Sequence, residues 1–257
     1  MHNDIQKASL WKRIAAGILD VILLVVLATG VCWALSAALD YSQWFERSEE
    51  IRAEYTQKFN LPEELTQEYL DQLTPEEYEA YLEKVRLADE AVKQDEEASR
   101  VFSLVVNLSL LIASGGILLS MLLLEFIVPL ILGNGQTVGK KVFALCLIRN
   151  DGVKVNTLQL FTRFLLGKFA VGVMIPVYSA IMILLRVVHP LLLLLAVVIL
   201  AAQVICVAAT RNNCLLHDLM AGTVVVDYSS QQIFKTTDDL IAYQQRIAAE
   251  RAARQKY

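Results

Sequence analysis

The sequence predicts an all-α integral membrane protein with four transmembrane helices, an extracytoplasmic acidic helical insertion and a small cytoplasmic β-hairpin or sheet element. Three observations lead there. The 257 residues are 56% hydrophobic with a mean hydropathy of +0.47, too apolar for an ordinary soluble domain. Long uncharged runs alternate with strongly charged segments, which excludes disordered and collagen-like chains. The charges are also partitioned: residues 40–100 carry 18 acids and 7 bases, a net of −11, while the remainder carries 9 acids and 16 bases, a net of +7. Cys32, Cys146, Cys206 and Cys214 form no Cys-x-x-Cys pair, so neither a zinc site nor a disulfide framework is expected.

The first apolar run, Ile14 to Leu39, has 26 residues and one charge, Asp20. As a helix it is about 39 Å long, enough to cross a hydrocarbon core of about 30 Å. Lys7, Lys12 and Arg13 before it and Ser36-Ala37-Ala38 at its end imitate a secretory signal peptide. The run is nevertheless too long for such a core and carries an acid. The second run, Val101 to Leu132, has 32 residues with Glu125 as its only charge, so it must tilt or project. Phe169 to Leu185 is a third run, flanked by Lys168 and Arg186, whose stems can snorkel. Leu191 to Ala209 is the fourth, and His189-Pro190 marks the turn between them.

Lys7, Lys12, Arg13, Lys140, Lys141, Arg149, Lys154 and Arg163 flank the spans on one side. The positive-inside bias therefore puts both termini in the cytoplasm and 40–100 outside a plasma or bacterial inner membrane. Within that outer segment Ile51, Tyr55 and Phe59 recur with helical spacing, and Thr74-Pro75-Glu76-Glu77 has the form of a capped helix start. Two or three amphipathic helices are expected there, the last continuous with the second span.

On the inner side, Val142 to Arg149, Asn150-Asp151-Gly152 and Val153-Lys154-Val155 predict a hairpin, with Thr223 to Val226 completing a small sheet. The tail past Asp238 alternates bases with alanines and suits a surface helix near anionic lipid. The resulting organisation is 1–39, N-terminus and first span; 40–100, acidic insertion; 101–228, a membrane region with three spans and the loop 133–163; and 229–257, the amphipathic tail.

The order of residues along the inner face carries a resemblance. Arg13 enters the first span with Asp20 seven residues on; then come Gly135-Gln136-Thr137-Val138-Gly139-Lys140-Lys141, Asp151-Gly152, Arg163, and His217-Asp218-Leu219-Met220-Ala221-Gly222-Thr223. Together these resemble the RDD family of multi-pass membrane proteins, over residues 10–39 and 125–228. The resemblance implies that Arg13, Asp20 and Asp218 are the name-giving arginine and aspartates. Because sodium/proton antiport has been associated with some members, it also implies ion transport.

Charges inside hydrocarbon cost several kcal/mol, so Asp20 and Glu125 need a reason to be there. Arg13, Gly17 and Asp20 fall within about 60° on one helical stripe. Asn107, Ser114 and Glu125 share another, a possible polar pathway. Carboxylates with hydroxyl and amide oxygens suit Na⁺ or a proton relay. An ion-pair network in which Arg13 ties to Asp20 or Asp218 explains the same residues. Lys140 and Lys141 are expected to meet lipid headgroups. No nucleophile elbow, His-Glu-x-x-His or dinucleotide fingerprint is present, so no enzyme, cofactor, metal or nucleic-acid role is expected.

Two functions follow as expectations: a small-ion transporter of Na⁺/H⁺ antiport type around Arg13, Asp20, Glu125 and Asp218, and a non-transporting membrane scaffold or assembly factor that binds a partner through its outer helices. Beyond the lipid bilayer, a homo-oligomer or a membrane-protein partner is expected, since four spans are few to enclose a pathway. The charge partition makes the topology testable. An impermeant thiol probe applied to intact cells should label a cysteine placed at Ser48 or Gln94 and spare one at Asn156; labelling at 156 would reverse the orientation.

Overall fold

The computed structural model describes residues 6–62, 66, 69, 72–165, 168–169, 190–210 and 214–254. Its elements run α1 (Leu10–Ala38), α2 (Tyr41–Lys58), α3 (Pro75–Gln94), α4 (Glu96–Leu122), a π-helical turn (Leu123–Ile127), α5 (Val128–Leu132), α6 (Val138–Val142), β1 (Leu145–Arg149), α7 (Thr157–Thr162), α8 (Pro190–Ala209), α9 (Leu216–Met220), β2 (Thr223–Asp227) and α10 (Thr237–Arg254). The chain is mostly helical with one antiparallel two-stranded sheet.

Two helical stretches, Leu10–Ala38 and Glu96–Leu132, are long and apolar enough to cross a membrane. Trp11, Ile18, Val21 and Val26 on the first are all more than half exposed, which is compatible with lipid around them. A third apolar stretch, Val197–Ala209, is shorter. The expected span from Phe169 to Leu185, beyond its first residue, and the turn at His189 lie outside the described residues.

The chain divides into two compact units, one of Met1–Leu27 with Leu118–Tyr257, the other of Ala28–Ile117. In the second, Ile51, Tyr55, Ala98 and Val101 form a buried cluster flanked by Phe59, Ala91, Val92 and Phe102. Thr74 and Glu77 form the expected capping box at the start of α3, with Pro75 in its first turn. The outer helix does not, however, run on into α4. Asp95 takes an extended conformation (φ −82°, ψ 113°), its Oδ1 accepting from the Ala98 amide at 3.0 Å and its Oδ2 from the Tyr55 hydroxyl at 2.9 Å. The aspartate thus ends one helix and caps the next, a use of its short side chain that periodicity could not reveal.

The first unit is organised on the sheet. β1 and β2 pair in the register Leu145↔Asp227 to Arg149↔Thr223. Successive side chains point to opposite faces: Leu145, Leu147 and Val225 pack with Ala16 and Leu160, and Cys146, Ile148, Val224 and Val226 pack with Cys214. Both faces are buried, so the strands are continuously apolar rather than alternating.

The predicted hairpin is reduced to its turn and a single antiparallel bridge, Ile148↔Lys154. Gly152 donates to the Arg149 carbonyl at 3.0 Å and Arg149 to that of Val153 at 2.8 Å, but Val153 then bridges to Phe234 instead of continuing a strand. β2 is the true partner of β1. The N-terminal segment closes the other edge: the Ala8 amide donates to Val225 at 3.4 Å, and Lys12 pairs with Asp227 at 2.6 Å.

Candidate functional site

Asp218, the third residue of α9, is completely buried, and a buried carboxylate persists only with partners. Arg163, just past α7, pairs with its Oδ1 at 2.7 Å, and Arg13 in the first turn of α1 reaches its Oδ2 at 3.4 Å. The Leu215 amide adds a donor at 3.2 Å. Burial by itself would raise the Asp218 carboxyl, but the two guanidinium groups hold it below the usual carboxylate range.

His217 sits against the same arginine, its Nε2 3.1 Å from an Arg163 Nη. A guanidinium only donates, so Nε2 is the acceptor and the ring is neutral. Burial, with Arg163 adding to it, pushes the imidazole down to about 3.

Asp20 has a different role. Its Oδ2 accepts from the Thr137 hydroxyl at 2.6 Å and its Oδ1 from the Gly139 amide at 2.8 Å, so it anchors the first turn of α6. Only glycine fits at 139, because a Cβ there would lie 2.2 Å from the Ala16 carbonyl oxygen and 2.8 Å from Asp20. Gly135, with φ +60°, likewise permits the turn before α6 and its approach to Leu147. Glu125 lies in the π-helical turn and pairs with Lys168.

Between these pairs stands Lys140. Its side chain is buried, and its one hydrogen bond among the described residues is a marginal 3.5 Å contact from Nζ to the Thr137 hydroxyl. Burial, then the repulsion of Lys168 and Arg163, pushes the amine down to about 7, against the pull of Glu125 and Asp20. A cavity of about 170 Å³ opens beside it, with Arg13, Lys140, Arg163 and Lys168 as its basic lining and Asp20 as its acidic one.

The RDD family model matches residues 7–222. The chain belongs to the RDD family. No curated protein and no solved structure matches it.

Of the three residues that the resemblance names, Arg13 and Asp218 meet, whereas Asp20 is engaged by Thr137 and Gly139. Of the two partners open to Arg13 on the sequence, the geometry therefore selects Asp218. Asn107 and Ser114, in the second unit, are exposed, and the Ser114 hydroxyl donates to the Leu110 carbonyl of its own helix at 2.6 Å. Lys141 is exposed, whereas α6 turns Lys140 inward over Thr137, where it lines the cavity.

Four contributors escaped sequence reasoning: Arg163 as the nearer partner of Asp218, Lys168 as the partner of Glu125, and Thr137 and Gly139 as donors to Asp20. All four lie in or beside the motif blocks. Their one sequence signal is that a buried acid needs as many donors as it has lone pairs to satisfy, and Arg13 alone could not serve three acids.

The His217 environment predicts a pH dependence. The folded ring titrates near 3 and the free ring near 6.5, so within that window the unfolded chain binds the extra proton and stability falls as pH falls. Thermal unfolding in detergent between about pH 6 and pH 4.5, above the carboxylate range, should show a falling midpoint that His217→Gln flattens. An unchanged slope in the variant would remove His217 from the acid response.

Proposed function

We propose that this RDD-family chain is a multi-pass plasma-membrane protein with both termini in the cytoplasm, and that it exchanges a small cation for a proton carried by Lys140. It is a transporter and not an enzyme, and a homo-oligomer encloses its pathway. The observation that carries the reading is a buried amine, pushed down to about 7 by burial, with Glu125 and Asp20 as its acidic neighbours. With Lys140 neutral, the acids Asp20, Glu125 and Asp218 balance Arg13, Arg163 and Lys168. A sodium ion then restores the charge that the departing proton removed, so the two ions are electrostatic alternatives. The carboxylate oxygens and the Thr137 hydroxyl are hard ligands suited to sodium.

Trp44, Phe45 and Tyr78 on α2 and α3 are exposed, which favours the second reading, a scaffold that docks a partner through its acidic helices. Proteoliposomes loaded with a pH dye separate the two. An imposed Na⁺ gradient should drive a pH change that Lys140→Met and Glu125→Gln abolish, while Lys141→Met retains it. Absence of any Na⁺-driven pH change in the parent protein would leave the scaffold.

A further inference from the structure

The sign of the cavity's lining points to a ligand of its own. Arg13, Lys140, Arg163 and Lys168 contribute four basic side chains to its wall. Asp20, the acid among the lining residues, already has one oxygen bound to the Thr137 hydroxyl and the other to the Gly139 amide. Glu125 is paired with Lys168, and Asp218 is held by Arg163 and Arg13. His217 is neutral and adds no negative charge.

Among the described residues the Asp218 Oδ1 makes its ion pair without a hydrogen bond, and the donors are incompletely used as well. The Arg163 side chain is 7% exposed, and its Nε has no hydrogen-bond partner among the described residues. Lys140 has three N–H bonds and the one marginal contact to Thr137. A buried donor left without a partner keeps its desolvation cost, more so when it is charged, so two such groups beside one cavity mark a place where an acceptor belongs. At about 30 Å³ per molecule, the cavity has room for roughly five waters, hence for a small polyatomic ion.

We propose that the cavity binds a phosphate-sized oxyanion, with the Arg163 Nε–H and the Lys140 ammonium as its principal donors and Arg13 and Lys168 supplying charge. The oxyanion is either a free ion or the phosphate of a lipid headgroup, since guanidinium and ammonium groups recognise the same oxygens in both. The site goes beyond cation exchange: it uses the basic side chains, whereas sodium would use the carboxylate oxygens. Occupancy is an equilibrium property that needs no transport.

The test is thermal unfolding of the full-length protein in neutral detergent, titrated with inorganic phosphate and, separately, with chloride at equal ionic strength. Phosphate at a hundredfold excess over its Kd should raise the midpoint by about 5 °C or more beyond chloride. Lys140→Met and Arg163→Lys should each weaken the response at least tenfold; the second keeps the charge facing Asp218 but removes the Nε–H. Lys141→Met should behave as the parent.

Nanodiscs with and without anionic phospholipid distinguish the sources. A midpoint raised by anionic lipid, with no further gain from phosphate, assigns the oxyanion to a headgroup, and a gain from phosphate in both assigns it to the free ion. Equal midpoints in phosphate and chloride with no lipid effect, or undiminished responses in both variants, would overturn the site. Phosphate binding without Na⁺-driven pH change would keep the site and remove the exchanger; the converse would keep the exchanger and remove the site.

Discussion

The buried carboxylate of Asp218 is the constraint on which the rest of the first unit depends. Removed from water, it must be neutralised, and the two guanidinium groups that neutralise it come from α1 and from the end of α7. The pair and its neighbours therefore fix three segments that are far apart in sequence. β2 begins five residues after Asp218, and the chain before Arg13 lies along β2 through Ala8, so the ion network and the sheet brace one another. Breaking such a buried pair typically costs about 3–5 kcal/mol, because the surviving charge keeps its desolvation penalty.

The remaining charges follow the same rule with different donors. Asp20 is satisfied by a hydroxyl and a backbone amide, which spares a base; Glu125 takes Lys168. Lys140 is then the group for which burial is not compensated, and its proton becomes the least secure charge of the cluster. A π-helical turn at Glu125 inserts an extra residue into the helix and redirects that acid, a distortion frequently associated with functional positions. Structure and proposed function thus share one cause: charges brought into a place where each must find a partner, with the Lys140 amine, the Arg163 Nε and the Asp218 Oδ1 short of hydrogen bonds among the described residues.

Much of the fold was legible in the sequence. The helical stretches containing Asp20 and Glu125, the Thr74 capping box, the strands on either side of the motif blocks and the tail helix all followed from hydropathy, turn chemistry and periodicity, because each is decided by residues near one another in the chain. The pairing of acids with bases was not legible. Spacing placed Arg13 and Asp20 on one stripe, yet a stripe only permits contact. Thr137 and Gly139 take Asp20 because α6 offers free donors where no other atom can fit. The inward turn of Lys140 and the interruption at Asp95 escaped for the same reason, since both depend on contacts made across the fold.

The most direct test of this account is a double-mutant cycle on Arg163→Gln and Asp218→Asn, read as unfolding free energy in detergent. Each single change should be strongly destabilising and the double mutant should lose less than their sum, with a coupling of about 1 kcal/mol or more and a smaller coupling for Arg13→Gln with Asp218→Asn. Losses that add to within about 0.5 kcal/mol in the Arg163 cycle would contradict it.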